Sequence, residues 1–397
     1  MRNDYDVVVI GARCAGSPLA MRLAQAGVRV LLIDRMTLGD DTLNGFLIKP
    51  AGVARLQAWG LLDAVLASGT PPVRSVRMVL GAMPVERNIV GNDVCPILAP
   101  RRFVLDRILV DSAASAGAEL CVQTALDHLS IDNGRVVGAR LLDRQGVAHD
   151  IRGRIVVGAD GRGSKVARQA GARMQRADGS TSIAYWSYWT GITDTAATVR
   201  LGVGSAAGAA PTNEGEWIVW VQVPLERAAN FRLDPGGEYL RILGETPVVS
   251  DLLAGARQVA RMYGMLSLPN FYRVSMGSGW VLAGDAGHHK DPLVARGISD
   301  AFRDADLLAT ALITGLGATE CELSRQLEAY SAARDAATTS VYEANLALSR
   351  LDWSMPQLGS LVARQMEAEA AADAAFAVSR PMLRPTAAEI VSCSANA

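Results

Sequence analysis

The chain lacks the features that would place it in a membrane, around a structural metal or outside the cell. Its five cysteines, at positions 14, 95, 121, 321 and 393, are scattered and show neither C-x-x-C nor Cys/His spacing, so we expect reduced thiols and no bound metal. No apolar run approaches the ~20 residues that a membrane-spanning helix needs. Asp4 and Asp6 precede only a short apolar run, which is not the pattern of a secretory signal. We therefore expect a cytoplasmic protein.

An excess of charge of either sign is also missing. Lys and Arg number 39, Asp and Glu number 40, and the formal net charge is −1. A general nucleic-acid binder needs a basic face and a protein that docks on anionic lipid needs a basic run, so neither partner is expected. What the chain does have is length and apolar content. Its 397 residues, half of them hydrophobic, predict two or three domains with sizeable cores.

Residues 5–35 show the pattern around which the rest of the chain is organised. Val7–Ile10 and Val28–Ile33 are short apolar runs typical of buried parallel strands, and Ser17–Ala26 has apolar residues at helical spacing. A glycine-bounded turn lies between the first strand and the helix, and Asp34 ends the second strand. This is the layout of a dinucleotide-binding unit, in which the helix N-terminus binds a pyrophosphate and the acid binds ribose hydroxyls.

The turn departs from the usual G-x-G-x-x-G fingerprint at one position. Arg13 stands where the central glycine normally lets the backbone approach the phosphate. An arginine that points outward is tolerable there and could add a phosphate contact. The alternative is an ordinary strand–helix–strand unit with a glycine turn, in which Cys14 is a small filler. The turn reads Gly11, Ala12, Arg13, Cys14, Ala15, Gly16.

Beyond this unit, periodicity predicts helices over 50–67, with a possible break at Gly60, and over 101–116. Short strands are expected at 121–126, 135–142, 148–154 and 155–158. Residues 181–270 show many strand signals, little helix and four of the seven tryptophans. From about Cys321 the chain is Ala-rich and helical, with a solvated end after Pro381. We expect three parts: a cofactor domain over 1–75, 98–180 and 271–330; a sheet domain over 76–97 and 181–270; and a helical region over 331–397.

Two further motifs each follow a predicted buried strand. Asp160-Gly161-Arg162-Gly163-Ser164 follows the first, and Gly284-Asp285-Ala286-Gly287-His288, then Pro292, Gly297 and Asp304, follows the second. Three motifs in this order and separation resemble the class A flavoprotein monooxygenases, the family of para-hydroxybenzoate hydroxylase. The resemblance covers roughly residues 5–315. It implies an α/β fold: a Rossmann-type FAD-binding domain like that of glutathione reductase (GR2-like), an inserted mixed β-sheet substrate domain and a C-terminal helical tail.

The resemblance also implies which positions bind FAD. The glycine turn would hold the pyrophosphate and Asp34 the adenosine ribose, with Arg35 near the adenine. Ala125, at the end of a strand, would make a backbone contact to adenine, and Arg102 would reach the phosphate and ribityl region. The remaining positions implied to bind the cofactor are Asn44, Gly45, Asp160, Gly284, Asp285, Pro292, Gly297 and Ile298.

The predicted helix that starts near Gly297 and Ile298 has a physical role of its own. Negative charge gathers at the N1–C2=O edge of a flavin when the flavin is reduced, and a helix N-terminus stabilises negative charge by roughly 0.3–1 kcal/mol or more. Free N–H groups of the first turn can donate to that edge. Ala295, Arg296 and Ser299 depart from the usual residues of the family at this place, which affects fine contacts and not the choice of cofactor.

His288 in the third motif and Lys49, near the DDTLNGF loop of residues 40–46, each have a functional and a purely structural interpretation. His288 and Pro292 are the candidates for residues beside the reacting atoms, but a supporting or exposed position is the more frequent one for such a histidine. No metal ligand set is expected, because adjacent histidines cannot easily face one ion. Lys49 could bind an acidic substrate group, or could be a solvated surface lysine.

Aromatic side chains mark the candidate substrate site. Residues on a strand alternate between its faces, so Tyr185 and Trp189 share one face and Trp186 and Tyr188 the other. One pair could line a cavity against the flavin, while the bland interpretation is core packing. Trp217 and Trp220 point to opposite faces, so at most one of them, with Trp220 as the candidate, lines the pocket.

The resemblance implies an FAD-dependent monooxygenase. Such an enzyme uses NADPH or NADH and O2 to insert one oxygen atom into an aromatic or electron-rich small molecule through a flavin C4a-hydroperoxide. The alternative is a flavin-dependent reductase or dehydrogenase of the geranylgeranyl-reductase type, which acts on alkenes without O2. A halogenase is a further alternative, but Trp217 and Trp220 have the wrong spacing for the W-x-W-x-I-P segment of that branch. The expected partners are an aromatic or apolar substrate and O2, in a monomer or homodimer.

Overall fold

The structure is a computed structural model that describes residues 2–37, 46–81, 83–88 and 95–378. Two large β-sheets and a set of long helices make up the described chain. The strands are β1 Asp4–Ile10, β2 Val30–Asp34, β3 Ser75–Leu80, β4 Met83–Asn88, β5 Glu119–Val122, β6 Ala125–Asp132, β7 Arg135–Leu142, β8 Ala148–Gly158, β9 Met174–Ser180, β10 Ser182–Thr190, β11 Ala197–Gly202, β12 Ser205–Pro211, β13 Trp217–Pro224, β14 Arg257–Gln258, β15 Tyr263–Met265, β16 Pro269–Arg273, β17 Met276–Gly277, β18 Trp280–Leu282 and β19 His288–His289. The helices are α1 Gly16–Gln25, α2 Pro50–Ala58, α3 Leu62–Ala67, α4 Arg102–Ser115, α5 Lys165–Gln169, α6 Ala228–Leu233, α7 Pro235–Gly244, α8 Pro247–Leu252, α9 Gly297–Leu316, α10 Glu320–Leu348 and α11 Met355–Val378.

The first sheet has the order β17-β18-β8-β1-β2-β5, and the five strands β18, β8, β1, β2 and β5 run parallel. Its central strands are continuous apolar runs because both faces are covered. Val7 and Val9 pack against α1, α4 and α9, while Val8 and Ile10 face the β6–β7 hairpin and α5. The predicted α/β fold with a Rossmann-type unit is confirmed.

Two strand predictions in this sheet were wrong in detail. Residues 148–158 form one strand, β8, where two short strands were predicted. The strand predicted over 121–126 is broken, because Gln123 adopts a left-handed backbone conformation with φ of 52°. Ala125 therefore begins β6 and does not end a strand.

The second sheet is mixed and has the order β14-β10-β13-β12-β11-β3-β4, with β15 also paired to β10. Here β3 pairs with β11 in parallel, so residues 75–80 join the sheet built from the later segment. One face, which we call the inner face, carries Trp186, Tyr188, Ile218 and Trp220 and packs toward residues 46–47 and 97–99. The opposite outer face carries Tyr185, Trp189 and Trp217 and packs under α6, α7 and α8.

The expectation of little helix between residues 181 and 270 was wrong. Helices α6, α7 and α8 lie within 228–252. Their start signals are present in the sequence: Pro235 and Pro247 occupy first-turn positions, and the Asp234 carboxylate accepts a hydrogen bond from the Gly237 amide at 2.8 Å. Tyr239, Ile242 and Leu243 are fully buried against the outer face.

A small antiparallel sheet of β9, β16 and β19 lies beside the long helix α10. Helix α11 packs on α10 and on the second sheet through an apolar cluster that includes Leu358 and Val362. In the described residues no helix has the length and apolarity to cross a membrane. The predicted chain end after Pro381 lies outside the described residues.

Candidate cofactor and substrate site

The glycine turn after β1 is so tight that no side chain fits at either of its two glycines. Gly11 has a φ of +108°, and a Cβ there would lie 2.4 Å from the carbonyl oxygen of Ala159. A Cβ on Gly16 would lie 1.8 Å from the Gly11 carbonyl oxygen. The turn therefore brings the N-terminus of α1 against the end of β8, where the second motif begins.

Arg13 stands in place of the central glycine, and its side chain points out of the turn. Its side chain is partly exposed, with Nε 3.9 Å from Oδ2 of Asp34 and Nη1 3.9 Å from Oδ2 of Asp106. Arg102, which is buried, donates from Nη2 to both oxygens of Asp106 at 2.9 and 3.0 Å. The Cys14 thiol donates to the same carboxylate, and burial raises its pKa to about 12. Two arginines thus converge on the turn, which suits a pyrophosphate.

Asp34 is 6% exposed and is oriented by backbone amides. Its Oδ2 accepts from the Ala12 amide at 3.0 Å, and its Oδ1 accepts from the Met36 amide at 2.9 Å. The Thr124 amide donates to the Asp34 carbonyl, so the segment that leads into Ala125 lies beside this acid. Arg35 is exposed next to it. Asn44 and Gly45 lie outside the described residues.

Asp160 has a structural task that the sequence did not reveal. Its carboxylate accepts hydrogen bonds from the Ser164 hydroxyl at 2.5 Å and from the amides of Lys165 and Val166 at 2.6 and 3.2 Å. These bonds close the turn after β8 and cap α5. Its backbone amide lies close to Gly11, since a Cβ built on Gly11 would be 3.0 Å from it; a contact of Asp160 with the cofactor stays a prediction.

The third motif meets the first at the same edge of the sheet. A Cβ on Gly284 would lie 3.1 Å from Cβ of Ala15 and 3.7 Å from Cβ of Ala301 on α9. The Gly284 amide donates to Oδ2 of Asp304 at 3.0 Å. Asp285 is half-buried and accepts no hydrogen bond from the described residues, although it lies within electrostatic reach of Arg102. A carboxylate in this position suits hydroxyl donors such as those of a ribityl chain.

Helix α9 begins where the sequence predicted a helix start. Pro292–Val294 form a single 3₁₀ turn, and Ala295 then adopts a left-handed conformation with φ of 51°. Gly297 is exposed, a Cβ on it would meet open space, and Ile298 is buried behind it. First-turn N–H groups have no partner within a helix, so this end of α9 can take an acceptor.

Behind this helix start lies a buried cluster of charges. Lys290 and Arg303 both pair with Asp300, and Arg303 also pairs with Asp304 at 2.8 Å. His288 is 3% exposed and stacks on Tyr272 with ring centroids 5.4 Å apart. Burial, with nearby cations, holds the pKa of His288 well below its usual value. The prediction that His288 could be an exposed residue was therefore wrong. Because the ring is buried and uncharged, its position does not favour a role as an acid or base.

Asp291 is a residue that sequence reasoning missed. It lies directly before Pro292 and is 1% exposed. Its carboxylate accepts from the Ser182 hydroxyl and from Nε2 of Gln222, both at 2.5 Å. Burial raises its pKa. These bonds fix the inner face of the second sheet against the Pro292–Val294 turn, so the inner face and the start of α9 lie side by side.

The inner face carries an aromatic cluster. Trp186 stacks on Tyr263 with centroids 5.8 Å apart, and Tyr188 meets the same ring edge-on at 6.2 Å. The Arg101 guanidinium lies 3.7 Å from the centroid of Tyr188. Trp220 is partly exposed and lies flat across β12, where a Cβ on Gly208 would be 2.7 Å from its ring. Trp186, Tyr188 and Ile218 are buried, so among the four inner-face side chains it is Trp220 that is partly exposed.

The outer-face pair is different. Tyr185 stacks on Phe231 of α6 with centroids 4.5 Å apart, and the Trp189 indole donates to the Tyr239 hydroxyl at 3.0 Å. Tyr185 and Trp189 are therefore packed in the core beneath the helices. Of the two predicted pairs, Trp186 and Tyr188 are the one that packs toward residues 46–47 and 97–99.

Lys49 does not stand free in solvent, so the interpretation as a solvated lysine was wrong. Its Nζ lies 2.8 Å from Oε2 of Glu369 on α11, and its amide donates to the Ser299 hydroxyl. The partner is 320 residues away in sequence, which is why no local pattern indicated it.

The residues at the sheet edge fit FAD on their chemistry. Glycines that tolerate no side chain form the phosphate turn, Asp34 and Asp285 offer carboxylates, and Arg13 and Arg102 offer charge. At the start of α9, two buried donors, Nε and Nη1 of Arg296, have no hydrogen-bond partner among the described residues. These features converge from three separate stretches of chain.

Comparison with known proteins gives the family of the chain. The FAD binding domain family matches residues 4–345, so the chain belongs to that family and is an FAD-dependent oxidoreductase. It is 30% identical, over 312 residues, to the digeranylgeranylglycerophospholipid reductase of Methanocella arvoryzae, covering 76% of each chain. The predicted membership of the class A type of flavoprotein is confirmed.

Solved structures show the same fold. The flavin-dependent brominase Bmp2 superposes with a TM-score of 0.79 at 19% identity, covering 94% of both chains. PqsL from Pseudomonas aeruginosa, described as a probable FAD-dependent monooxygenase, superposes with a TM-score of 0.71 at 21% identity and covers 93% of this chain and 99% of its own.

Proposed function

We propose that the protein is an FAD-dependent reductase or dehydrogenase that acts on a carbon–carbon double bond of an apolar small molecule. The single observation that carries this choice is the 30% identity, across three quarters of the chain, to a digeranylgeranylglycerophospholipid reductase. It favours the alternative considered from sequence over the monooxygenase. NADPH or NADH is the proposed source of electrons.

The proposed substrate surface is the inner face. Trp186, Tyr188, Ile218 and Trp220 contribute apolar side chains, of which Trp220 is partly exposed. The carboxylate of Asp291, directly before the Pro292–Val294 turn, accepts hydrogen bonds from Ser182 and Gln222. Burial of apolar surface at roughly 25 cal/mol per Å² supplies binding without a charged anchor. This suits a hydrocarbon chain or ring.

Bound FAD would supply hydride transfer. The chain's own residues would hold and orient the two reactants. Gly11–Gly16, Asp34 and Arg102 would bind the nucleotide; Asp291 would keep the Pro292–Val294 turn beside the inner face; and the aromatic cluster would exclude water. Pro292 stays a proposed neighbour of the ring, and no side chain of the described residues is assigned as an acid or base.

A monooxygenase is the second candidate, because the aromatic inner face also suits an aromatic substrate and a dry cavity. One experiment separates the two. Enzyme reduced with dithionite is mixed with geranylgeraniol without O2, and flavin absorbance and product mass are followed. The proposal expects flavin reoxidation and a product with two added hydrogen atoms. If the flavin is reoxidised only when O2 is present, and a substrate is converted to a product with one added oxygen atom, the reductase proposal is wrong and the monooxygenase takes its place.

A further inference from the structure

Trp220 is the inner-face side chain that extends beyond the aromatic cluster. It packs with that cluster and also with a second group of apolar side chains on the same face, which we call the junction cluster. The junction cluster contains buried residues of the sheet, of the Pro292–Val294 turn and of α11: Leu201, Ala206, Val294, Leu358 and Val362. The indole of Trp220 therefore connects the aromatic cluster to the turn that is proposed to lie beside the cofactor.

The first part of α11 packs on the inner face. A Cβ on Gly81, directly after β3, would lie 2.2 Å from the terminal methyl carbon of Met355, so α11 begins over the end of that strand. Leu358 and Val362, which lie one helical turn apart, are both buried in the junction cluster. This part of α11 therefore covers the inner face where β3, β11 and β12 lie.

The second part of α11 is charged and reaches the starts of two other helices. Oε2 of Glu369 lies 2.8 Å from Nζ of Lys49, the residue directly before α2. Asp373 accepts a hydrogen bond at 2.7 Å from Nη2 of Arg296, the residue directly before α9. Burial opposes the charge of Glu369, yet Lys49 and Arg296 together hold its pKa below the usual value. These ion pairs hold α11 across the junction between the inner face and the Pro292–Val294 turn.

Three apolar side chains around the junction cluster are only partly buried. Trp220 comes from the sheet, Leu293 from the turn before α9 and Leu361 from α11, and all three pack against the cluster. Single exposed apolar residues are common on protein surfaces, whereas exposed apolar residues that are grouped together mark binding grooves. These three belong to three different elements that meet at one place, so they form an apolar seam between α11 and the inner face.

We propose that Leu361 of α11 determines substrate specificity: with Trp220 and Leu293 it contacts the apolar chain of the substrate, and its size sets the length of chain that fits. The seam continues the aromatic inner face through Trp220 and adjoins the turn beside the proposed cofactor position, which is why its occupant is the substrate chain. The inference rests on the proposed function, which supplies a long apolar substrate.

The test is a titration of oxidised, FAD-loaded enzyme with geranylgeraniol and with the shorter alcohol geraniol, followed by flavin absorbance without any reductant. Leu361→Ala removes apolar contact area and is expected to weaken geranylgeraniol binding about tenfold. Leu361→Trp narrows the seam and is expected to weaken geranylgeraniol binding more than geraniol binding. Leu361→Met keeps the side-chain volume and should behave as the parent does. The matched control is Met366→Ala, at a position of the same helix that is 42% exposed, which should change neither dissociation constant.

Two results would overturn the assignment of Leu361 while the parent still binds geranylgeraniol. One is a Leu361→Ala variant that binds geranylgeraniol as tightly as the parent. The other is a Leu361→Trp variant that weakens both alcohols equally. A parent enzyme that binds neither alcohol contradicts the proposed function itself, and this inference fails with it. If Leu361→Trp does not fold, Leu361→Ala decides, because the shorter side chain at a partly exposed position meets no steric conflict.

Discussion

The edge of the first sheet at which the three motifs meet, which we call the cofactor edge, differs from the inner face of the second sheet in which part of the chain forms its surface. At the cofactor edge, backbone geometry dominates: Gly11 and Gly16 admit no side chain, and amides orient Asp34. On the inner face the backbone is ordinary sheet and the aromatic side chains make the surface. The first region fixes one ligand, while the second can be changed residue by residue. Substitutions should therefore act all-or-none in the first region and by degrees in the second.

The largest expected effect comes from Gly16→Ala. The added Cβ would lie 1.8 Å from a backbone oxygen of the same turn, so the phosphate turn must open. We expect FAD binding to fall below detection in a titration by flavin fluorescence. Gly163→Ala is the matched control, because a Cβ there meets open space in the neighbouring motif. If Gly16→Ala and Gly163→Ala bind FAD with equal dissociation constants, backbone geometry does not control the cofactor edge.

The aromatic pairs should divide by face. Trp186→Ala with Tyr188→Ala removes the inner surface, so we expect weaker binding of geranylgeraniol with an unchanged FAD dissociation constant, together with a loss of stability because both side chains are buried. Tyr185→Ala with Trp189→Ala removes core packing under α6 and α7. That variant should lose at least roughly 3–5 kcal/mol of unfolding free energy, because a single large-to-small aromatic change in a core already costs about that much.

Urea unfolding and ligand titration of both double variants provide the check. If the outer pair changes substrate affinity while stability stays at the parental value, the assignment of the two faces is reversed.

The smallest expected effect concerns Cys14. Burial raises the pKa of its thiol to about 12, so the reactive thiolate is scarce at neutral pH. We expect native protein to be alkylated by iodoacetamide at the exposed Cys321 well before Cys14, with the order read by peptide mass spectrometry. Rapid labelling of Cys14 in folded, FAD-free protein would show that the turn opens in solution.

The sequence predicted the cofactor edge well because its determinants are local. A strand, a glycine turn, a helix and an acid within residues 5–35 leave few arrangements, and the start of α9 at Gly297 followed from the same kind of pattern. The contacts of these residues with FAD stay predictions. The helices over 228–252 were missed because the strand signals and tryptophans around them dominated the interpretation.

What the sequence could not indicate depends on long-range contacts. Lys49 meets Glu369, Arg296 meets Asp373, and Asp291 meets Ser182 and Gln222, all across large separations in the chain. The choice between the two aromatic faces also needed the sheet's position, since alternation along β10 separates the pairs but does not say which pair is covered by helices.

The most direct test of the division between the two regions is a crossed pair of titrations. Asp34→Ala and the Trp186→Ala/Tyr188→Ala variant are each titrated with FAD and then, at saturating FAD, with geranylgeraniol. Loss of charge-assisted bonds of roughly 1.5–3 kcal/mol predicts that Asp34→Ala weakens FAD binding about tenfold to a hundredfold and leaves geranylgeraniol binding unchanged. The inner-face variant should show the opposite pattern. If either folded variant weakens both ligands to a similar extent, the cofactor edge and the inner face are not separate binding regions.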